Sequence, residues 1–553
     1  MHRTLAIIIT IIMLLTVFSG CGREEMDVPS NAPSAVTAVT DPEEGLDTEN
    51  FLRLPMGTPE RVDPQRLGGY NPLAMSIFDR VVEVQDNPDG STEIVPSIAK
   101  SWMITNGGKT YHFSLNDTVR FHDGETLTAE DIKFSIERLV THETSSFSHL
   151  FDGISGADAL RSGEEKELTG IEVLDDYTIE FTLSEPDGSF LSRLASPAAS
   201  ILEEKSVKKA GKDFGMLPET TIGSGPFRMY GWDYQRKMVL TAVEDCWRGA
   251  PNCAGMVLVD IPDEESRRDQ FETGKLDILD LDQIQSQQDS FLEQEGIEEQ
   301  IVYGPREEIQ FIALNESVNP FDNKTVRKAL QMATDRQALV EEILKGRGQI
   351  ENGLYPQGLI GFNEEAEEIP YDAEKAKELL EEAGIDEDTE IELCYPAEAG
   401  ETEIALVKAI AEQWKAVGLT VNVSKKSQEK FGKERMEGKL PAFRGTWTAR
   451  IDDPSDFLLP FFENAETAQQ TSLCYRDYSV FNRIGKAGQI VNDRERNGEY
   501  QEIEEKLVRE DAVLIPLFSR KHPYAVNPRV KGFKPAPMGD GYNHYETISI
   551  SGE

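Results

Sequence analysis

The chain contains 553 residues, of which 56 are Lys or Arg and 100 are Asp or Glu, so its formal net charge is -44 at pH 7. Such an acidic chain is poorly suited to bind anionic partners, which argues against nucleic acids and acidic lipid surfaces. The hydrophobic content of 39% is sufficient for folding. Because 553 residues are too many for one core of ordinary size, two or three lobes are expected.

The amino terminus has the pattern of an export signal. His2 and Arg3 precede an apolar run from Leu5 to Phe18, which is short for a membrane span and typical of a signal peptide. The sequence Phe-Ser-Gly-Cys that ends at Cys21 resembles a lipobox. It predicts cleavage before Cys21 and a diacylglycerol thioether on that cysteine, whose amino terminus stays charged. The two acyl chains, such as palmitate, give a stable membrane anchor. An uncleaved signal anchor is the alternative.

The residues after Cys21 predict a tether. Residues 22–50 are rich in Pro, Ser, Thr, Asp and Glu, which favours disorder, and the globular part is expected to begin near Phe51. Four cysteines follow: Cys246, Cys253, Cys394 and Cys474. Export would permit disulfides, but neither their connectivity nor their redox state follows from the sequence, and no zinc spacing accompanies them.

Residues 99–138 combine strand, turn and helix signals. Apolar and polar residues alternate from Tyr111 to Leu115, as in a half-buried strand, and Asp123 begins a tight turn. Thr128 precedes an apolar helical pattern and has Asp131 three positions later, which predicts a variant of the capping box.

The carboxyl-terminal half alternates strands and helices. A strand is predicted from Phe311 to Asn315, and Asn323 and Asp335 are predicted to cap successive helices. The same patterns predict a helix over residues 371–384, a helix over 403–417 that leads into a strand at 419–423, and a helix over 504–516 that leads into a strand at Ile515.

Several motifs resemble one family in their residues and order. They are SW at 101–102, NGGKTYHF at 106–113, FHDG at 121–124, TAEDIKFSIER at 128–138, and GSGPF at 223–227. Together they resemble the family 5 extracellular solute-binding proteins, the peptide- and nickel-binding components of ABC importers. The resemblance implies an α/β, periplasmic-binding-protein-like fold of class II, cluster C type, in which two large lobes are joined by two crossover strands and a third, smaller lobe is inserted.

The resemblance also implies a division of the chain. Residues 1–20 form the signal peptide and 21–50 the lipidated cysteine and tether; lobe I comprises 51–73, 205–308 and 521–553, lobe II is inserted at 74–204, and lobe III spans 309–520. A ligand held between two lobes favours the closed state, because only that state contacts it from both sides.

The segment 444–458 resembles the ligand loop of this family. In peptide-binding relatives, an Asp three residues after the tryptophan pairs with the ligand's α-ammonium, but here that position is Arg450. A guanidinium cannot accept a hydrogen bond and repels an ammonium. Either Asp452 or Asp453 substitutes, or the ligand lacks a free amine or presents an anion, or Arg450 forms an ion pair with a neighbouring carboxylate. A reversed anchor predicts that blocking a peptide's amino terminus leaves binding unchanged or improves it. The predicted ligand-binding residues are Gly69, Tyr70, Trp447, Thr448, Ala449, Arg450, Asp452 and Phe518.

No catalytic constellation is present. The seven histidines lack metal-binding spacing, and no nucleotide-binding P-loop or nucleophile elbow occurs. The chain is therefore predicted to have no enzymatic activity, cofactor or metal. It is also predicted to be a monomer. The predicted function is capture of oligopeptides or a similar solute for an ABC permease and its ATPase, at the outer face of the cell membrane, or its periplasmic side in a Gram-negative cell. The alternatives are an oligosaccharide or another non-amine ligand, a peptide-sensing receptor, and a secreted hydrolase, for which no nucleophile or metal triad can be assembled.

Overall fold

A computed structural model describes residues 41–56, 61–66, 73–87, 91–234, 236–359, 361–385 and 389–551. The predicted signal peptide, Cys21, Gly69 and Tyr70 lie outside the described residues. Within those ranges, no helix has both the length and the apolar character needed to cross a membrane.

The strands, in chain order, are β1 (Phe51–Met56), β2 (Val82–Asp86), β3 (Thr92–Pro96), β4 (Ala99–Thr105), β5 (Thr110–Leu115), β6 (Ile171–Asp175), β7 (Thr178–Thr182), β8 (Phe227–Asp233), β9 (Lys237–Ala242), β10 (Gly255–Asp260), β11 (Ile278–Asp280), β12 (Ile301–Gly304), β13 (Glu308–Leu314), β14 (Gly348–Ile350), β15 (Glu390–Pro396), β16 (Thr420–Lys426), β17 (Ala442–Thr448), β18 (Leu514–Arg520), β19 (His522–Val526), β20 (Val530–Lys531) and β21 (Ser549–Ile550).

The α-helices are α1 (Ala74–Ile77), α2 (Ala129–Val140), α3 (Ala157–Ser162), α4 (Phe190–Ala195), α5 (Glu204–Ala210), α6 (Glu264–Glu272), α7 (Gln288–Leu292), α8 (Lys324–Ala333), α9 (Arg336–Ala338), α10 (Ala373–Glu382), α11 (Glu401–Ala416), α12 (Gln428–Met436), α13 (Ser455–Phe462), α14 (Ala465–Gln470), α15 (Tyr478–Gly488) and α16 (Asp493–Glu504). Two π-helical turns, Leu339–Ile343 and Glu505–Glu510, continue α9 and α16.

The largest sheet has the strand order β14-β18-β13-β17-β15-β16 and carries a core on each face. Side chains alternate along β13: Ile309, Phe311 and Ala313 join one core, while Ile312 and Leu314 join the other. This period of two is expected for a strand buried on both faces. The strands β15 and β16 are parallel and are connected by α11, which leads into β16 as the predicted helix at 403–417 and strand at 419–423 require.

Among the described residues, five smaller sheets lie outside that unit, one of which pairs β20 with β21. The strands β4-β5-β7-β6 form an antiparallel sheet with its own core, and β2 and β3 form a hairpin. The strands β1-β10-β9-β8 and β11-β19-β12 form sheets from the beginning, the middle and the end of the chain. The exact lobe boundaries stay a prediction.

The predicted helix starts are confirmed. Thr128 and Asp131 form the capping box of α2, and Asn323 and Asp335 cap α8 and α9 through their side chains. In each case a side-chain oxygen accepts an N–H that the first helical turn leaves without a partner.

The helix predicted over residues 504–516 is wrong in its bounds. It begins earlier, because the Asn492 side chain accepts the backbone N–H of Glu495 at 3.0 Å. It ends before Ala512, whose φ of 52° lies in the left-handed region, and β18 begins at Leu514. An apolar helical pattern does not reveal such a backbone reversal.

The start of the ordered chain differs from the prediction, and the redox state of the cysteines can be described. Residues 41–50, assigned above to a tether, contain turns, and Glu43 forms ion pairs with Arg53 at 2.9 Å and Lys237 at 2.5 Å, so ordered structure begins before Phe51. The four cysteines after Cys21 are buried free thiols.

His122 joins two of the motifs that carry the family resemblance. Its Nδ1 accepts the backbone N–H of Gly223 at 3.3 Å, so Nε2 carries the hydrogen and donates to the carbonyl of Gly225 at 3.0 Å. Burial disfavours the imidazolium and lowers the pKa of His122 to about 4. The turn is therefore held together by a neutral histidine.

This pKa predicts a pH dependence of stability. Because the folded-state pKa is below the usual 6.5, the contribution of His122 is fully present above pH 6.5 and decreases as the pH falls towards 4. The free energy of unfolding should fall by at most about 3 kcal/mol through this residue. Urea unfolding between pH 7 and 4 should show that the free energy of unfolding falls less steeply with pH for His122→Gln than for the wild type. His149→Gln is the control, because that side chain is 70% exposed. Equal pH slopes for all three proteins would contradict the assignment.

Candidate functional site

The predicted ligand loop begins where β17 meets the segment that precedes β13. In the antiparallel pair, Thr448 lies opposite Glu308, and the backbone N–H of Ala449 donates to the carbonyl of Glu307 at 2.8 Å. The loop of residues 449–454 therefore starts beside the chain segment between β12 and β13.

Trp447 is the aromatic residue at this end of β17. Its ring packs edge-to-face on Phe461 with a centroid distance of 5.1 Å. The ring nitrogen Nε1 is buried and has no hydrogen-bond partner among the described residues. A buried indole N–H usually finds an acceptor, so Trp447 combines a packing role with an unused donor.

Arg450 forms an ion pair with Asp456 in the first turn of α13. Nε of Arg450 donates to Oδ1 at 3.0 Å, and its backbone N–H donates to Oδ2 at 2.6 Å. The guanidinium also lies over the ring of Trp447, 5.1 Å from its centroid. Of the three explanations offered for Arg450, this geometry corresponds to the ion pair with a neighbouring carboxylate.

Asp452 and Glu307 are buried acids beside this pair, 8% and 2% exposed respectively. Burial, with the charges of Asp453 and Asp86, raises the pKa of Asp452 to about 7. Burial and the charge of Asp452 also hold the pKa of Glu307 well above its usual value. Both groups therefore sit where a negative charge is poorly compensated.

The hairpin of β2 and β3 reaches the same loop. The side chain of Thr92 lies near Asp452 and favours the ionised form of that carboxyl, which lowers its pKa and partly offsets the effect of burial. Asp86, at the end of β2, is exposed. Asp453 is fully buried and pairs instead with Arg496 at 3.1 Å. Segments from distinct sheets thus converge on the loop.

A cavity of about 440 Å³ lies beside the end of β1. Its lining combines apolar and polar groups, among them Leu54, Asp280, Arg306, Tyr524, Phe533 and Met538. Pockets of this size and composition suit small solutes.

His522, at the start of β19, lies between two carboxylates. Its Nε2 is 3.0 Å from Asp280, and its Nδ1 is 3.2 Å from Asp282. Arg306 lies 2.6 Å from Nε2, and Arg520 is 3.4 Å from Asp282. Because both arginines compensate the carboxylates, we assign this group an ion-pairing role. The isolated sequence position of His522 did not indicate it.

The predicted site residues have different environments. Trp447, Thr448, Ala449, Arg450 and Asp452 are brought together, whereas Phe518 is fully buried in the core of the largest sheet. Gly69 and Tyr70 lie outside the described residues. Sequence reasoning missed Glu307, for which the only signal was its place just before a predicted strand. Contact of any of these residues with a ligand stays a prediction.

Substitution of the two partners of the Arg450–Asp456 ion pair is predicted to destabilise the protein to different extents. Asp456→Ala removes the buried acceptor of a backbone N–H and should lower the free energy of unfolding by about 1–3 kcal/mol. Arg450→Ala removes a side chain that is 55% exposed and should lower the free energy of unfolding by less than about 1 kcal/mol. Urea unfolding of both variants tests the difference. A larger loss for Arg450→Ala would show that the guanidinium, rather than the backbone contact, stabilises the loop.

Comparison with known proteins places the chain in a family. The model for bacterial extracellular solute-binding proteins, family 5 Middle, matches residues 93–469, more than half of the chain. Heme-binding protein A of Haemophilus influenzae is 27% identical over 509 residues, covering 88% of each chain. The dipeptide-binding protein of Escherichia coli is 25% identical over 519 residues, covering 89% of this chain and 93% of the relative.

Solved structures show the same fold. The periplasmic murein tripeptide binding protein MppA, in its unliganded open form, matches with a TM-score of 0.78 at 22% identity, covering 90% of this chain and 97% of its own. HbpA2 from Haemophilus parasuis matches with a TM-score of 0.78 at 24% identity, and the match covers 91% of this chain and 99% of HbpA2. The predicted fold class is thereby confirmed. The chain belongs to the family 5 bacterial extracellular solute-binding proteins, and it is a solute-binding protein rather than an enzyme.

Proposed function

We propose that this protein is the lipid-anchored receptor of an ABC importer, which captures an oligopeptide or a similar solute between its lobes and delivers it to a membrane permease. The chain contains no nucleotide-binding P-loop, so a separate ATPase would supply the energy of transport. The receptor would act as a monomer on the outer side of the membrane.

Convergence of separate segments on the 449–454 loop is the observation that carries this proposal. The loop starts beside Glu307, and Thr92 of the β2–β3 hairpin lies near Asp452. The hydroxyl of Tyr542 donates to the carbonyl of Arg450 at 3.2 Å. A solute bound here would contact segments from several sheets at once. It would therefore favour the arrangement in which those segments are close together.

The names of relatives support a peptide as the solute. The Escherichia coli relative is a dipeptide-binding protein, and two Pseudomonas aeruginosa relatives, each 24–25% identical, are di/tripeptide-binding proteins. A relative named for heme shows that the ligand class has to be tested directly. Peptide main chains offer regular donors and acceptors that a receptor can bind with little regard to side chains.

The sequence around Cys21 supports the anchor. A short apolar run and small residues precede the cysteine, and two or more acyl chains on one residue suffice for stable attachment to a membrane.

The proposed function predicts binding of small peptides. Native mass spectrometry of the purified protein should show a co-purified peptide, and calorimetry after its removal should show binding of dialanine, trialanine or pentaalanine, with maltotriose and haemin as competing candidates. Trp447→Ala should weaken peptide binding at least about tenfold, the scale of one aromatic contact. Trp102→Ala is the control, because Trp102 packs on the β4–β7 core. Binding of maltotriose or haemin alone would contradict a peptide receptor.

A further inference from the structure

The chain passes twice between two sheets, and the two crossings run next to each other. The strands β12 and β19 belong to the three-stranded sheet, whereas β13 and β18 belong to the largest sheet. Residues 305–307, the first crossing, connect β12 to β13, and Lys521, the second crossing, connects β18 to β19. Gly304 lies opposite His522 where both crossings begin. A rotation of one sheet relative to the other therefore has to bend both crossings.

A side-chain hydrogen bond joins the two crossings. Arg306 belongs to the first crossing, and its Nη2 lies 2.6 Å from Nε2 of His522, the residue that follows the second. His522 is only 5% exposed. Nε of Arg306 is buried and has no hydrogen-bond partner among the described residues, so the contact with His522 is a main restraint on this guanidinium. The pair couples the movement of one crossing to that of the other.

Nε2 of His522 has two neighbours that it cannot serve at once. The same nitrogen lies 3.0 Å from Asp280, while Nδ1 lies 3.2 Å from Asp282. A neutral imidazole that carries its hydrogen on Nδ1 donates to Asp282 and accepts from Arg306 at Nε2. An imidazolium donates from both nitrogens, so it bonds the two carboxylates and repels the guanidinium. The proton therefore decides whether Nε2 bonds Arg306 or Asp280.

The surrounding charges permit both states of the imidazole. The charged and titratable groups that face it come from several chain segments, namely Asp280, Asp282, Arg306, Arg520, Tyr524 and Asp540. The two arginines balance Asp280 and Asp282 when the imidazole is neutral, and Asp540 adds an attraction for the imidazolium. Burial raises the pKa of Asp280, but the hydrogen bond and charge of His522, with the charge of Arg306, hold that pKa below its usual value. Histidine side chains typically change charge between pH 5 and 8, and Asp280 stays ionised over that range.

We propose that His522 is a proton-operated latch between the two crossings. The neutral side chain accepts from Arg306 and couples the crossings, whereas the protonated side chain donates to Asp280 and releases Arg306. The released guanidinium lines the cavity of about 440 Å³ beside β1. This inference rests on the proposed function, because it makes the acidity outside the cell a regulator of solute affinity through the arrangement of the two sheets.

Hydrogen–deuterium exchange at pH 8 and pH 5, corrected for the intrinsic exchange rate, tests the latch without a ligand. In the wild type, protection of the amides in residues 303–310 and 516–524 should fall about three- to tenfold at pH 5, the value of one lost hydrogen bond. His522→Gln keeps a neutral acceptor for Arg306 and should stay protected at both pH values. Arg306→Met removes the donor and should be less protected at both.

His544→Gln is the matched control. His544 is also partly buried, and its Nδ1 lies 2.9 Å from a carboxylate, that of Glu546, but it contacts neither crossing. This variant should show the same change in protection with pH as the wild type. Circular dichroism verifies folding, and Arg306→Met serves if His522→Gln fails to fold. A pH response that persists in either latch variant overturns the inference.

Calorimetry with trialanine at the same two pH values tests the regulation. The dissociation constant should change at least about threefold between pH 8 and pH 5 in the wild type and in His544→Gln, and by less than about twofold in the two latch variants. An affinity that changes equally in all four proteins overturns the regulatory role and leaves the proposed function intact. If trialanine binds at neither pH, the proposed peptide function fails, while the exchange measurement still decides whether the latch exists.

Discussion

The antiparallel pairing of β13 with β17 is the constraint on which the site depends. It runs from Glu308 opposite Thr448 to Leu314 opposite Ala442, and the hydrogen bond from Ala449 to Glu307 extends it by one step. A shift of one residue would turn every side chain to the other face. Trp447 would then leave the core that contains Phe461, and the ligand loop would lose its position beside Glu307.

Charge compensation distinguishes the residues around this loop. Arg450 and Arg496 each neutralise one buried carboxylate, so these pairs maintain the loop's shape without needing a ligand. Glu307 and Asp452 have no such partner among the described residues, and burial makes their ionisation unfavourable.

Local features were predictable from the sequence, whereas long-range partners were not. Thr128, Asn323 and Asp335 cap helices as expected, because a cap depends on residues within one helical turn. Motif order was enough to identify the family. The partner of Arg450 was one of several nearby acids, and sequence spacing alone could not single out Asp456. Glu307 reaches the loop only through strand pairing. Phe518, predicted to contact ligand by its place near a crossover strand, is buried because its side chain faces the core.

The central claim is that solute binds at the end of β17, against Trp447 and the 449–454 loop. A crystal structure of the protein purified with its native solute tests this most directly. We expect ligand density beside Trp447 and the 449–454 loop. Ligand density confined to another cavity, such as the one of about 1010 Å³ lined by Arg120, Cys246 and Cys253, would contradict the account.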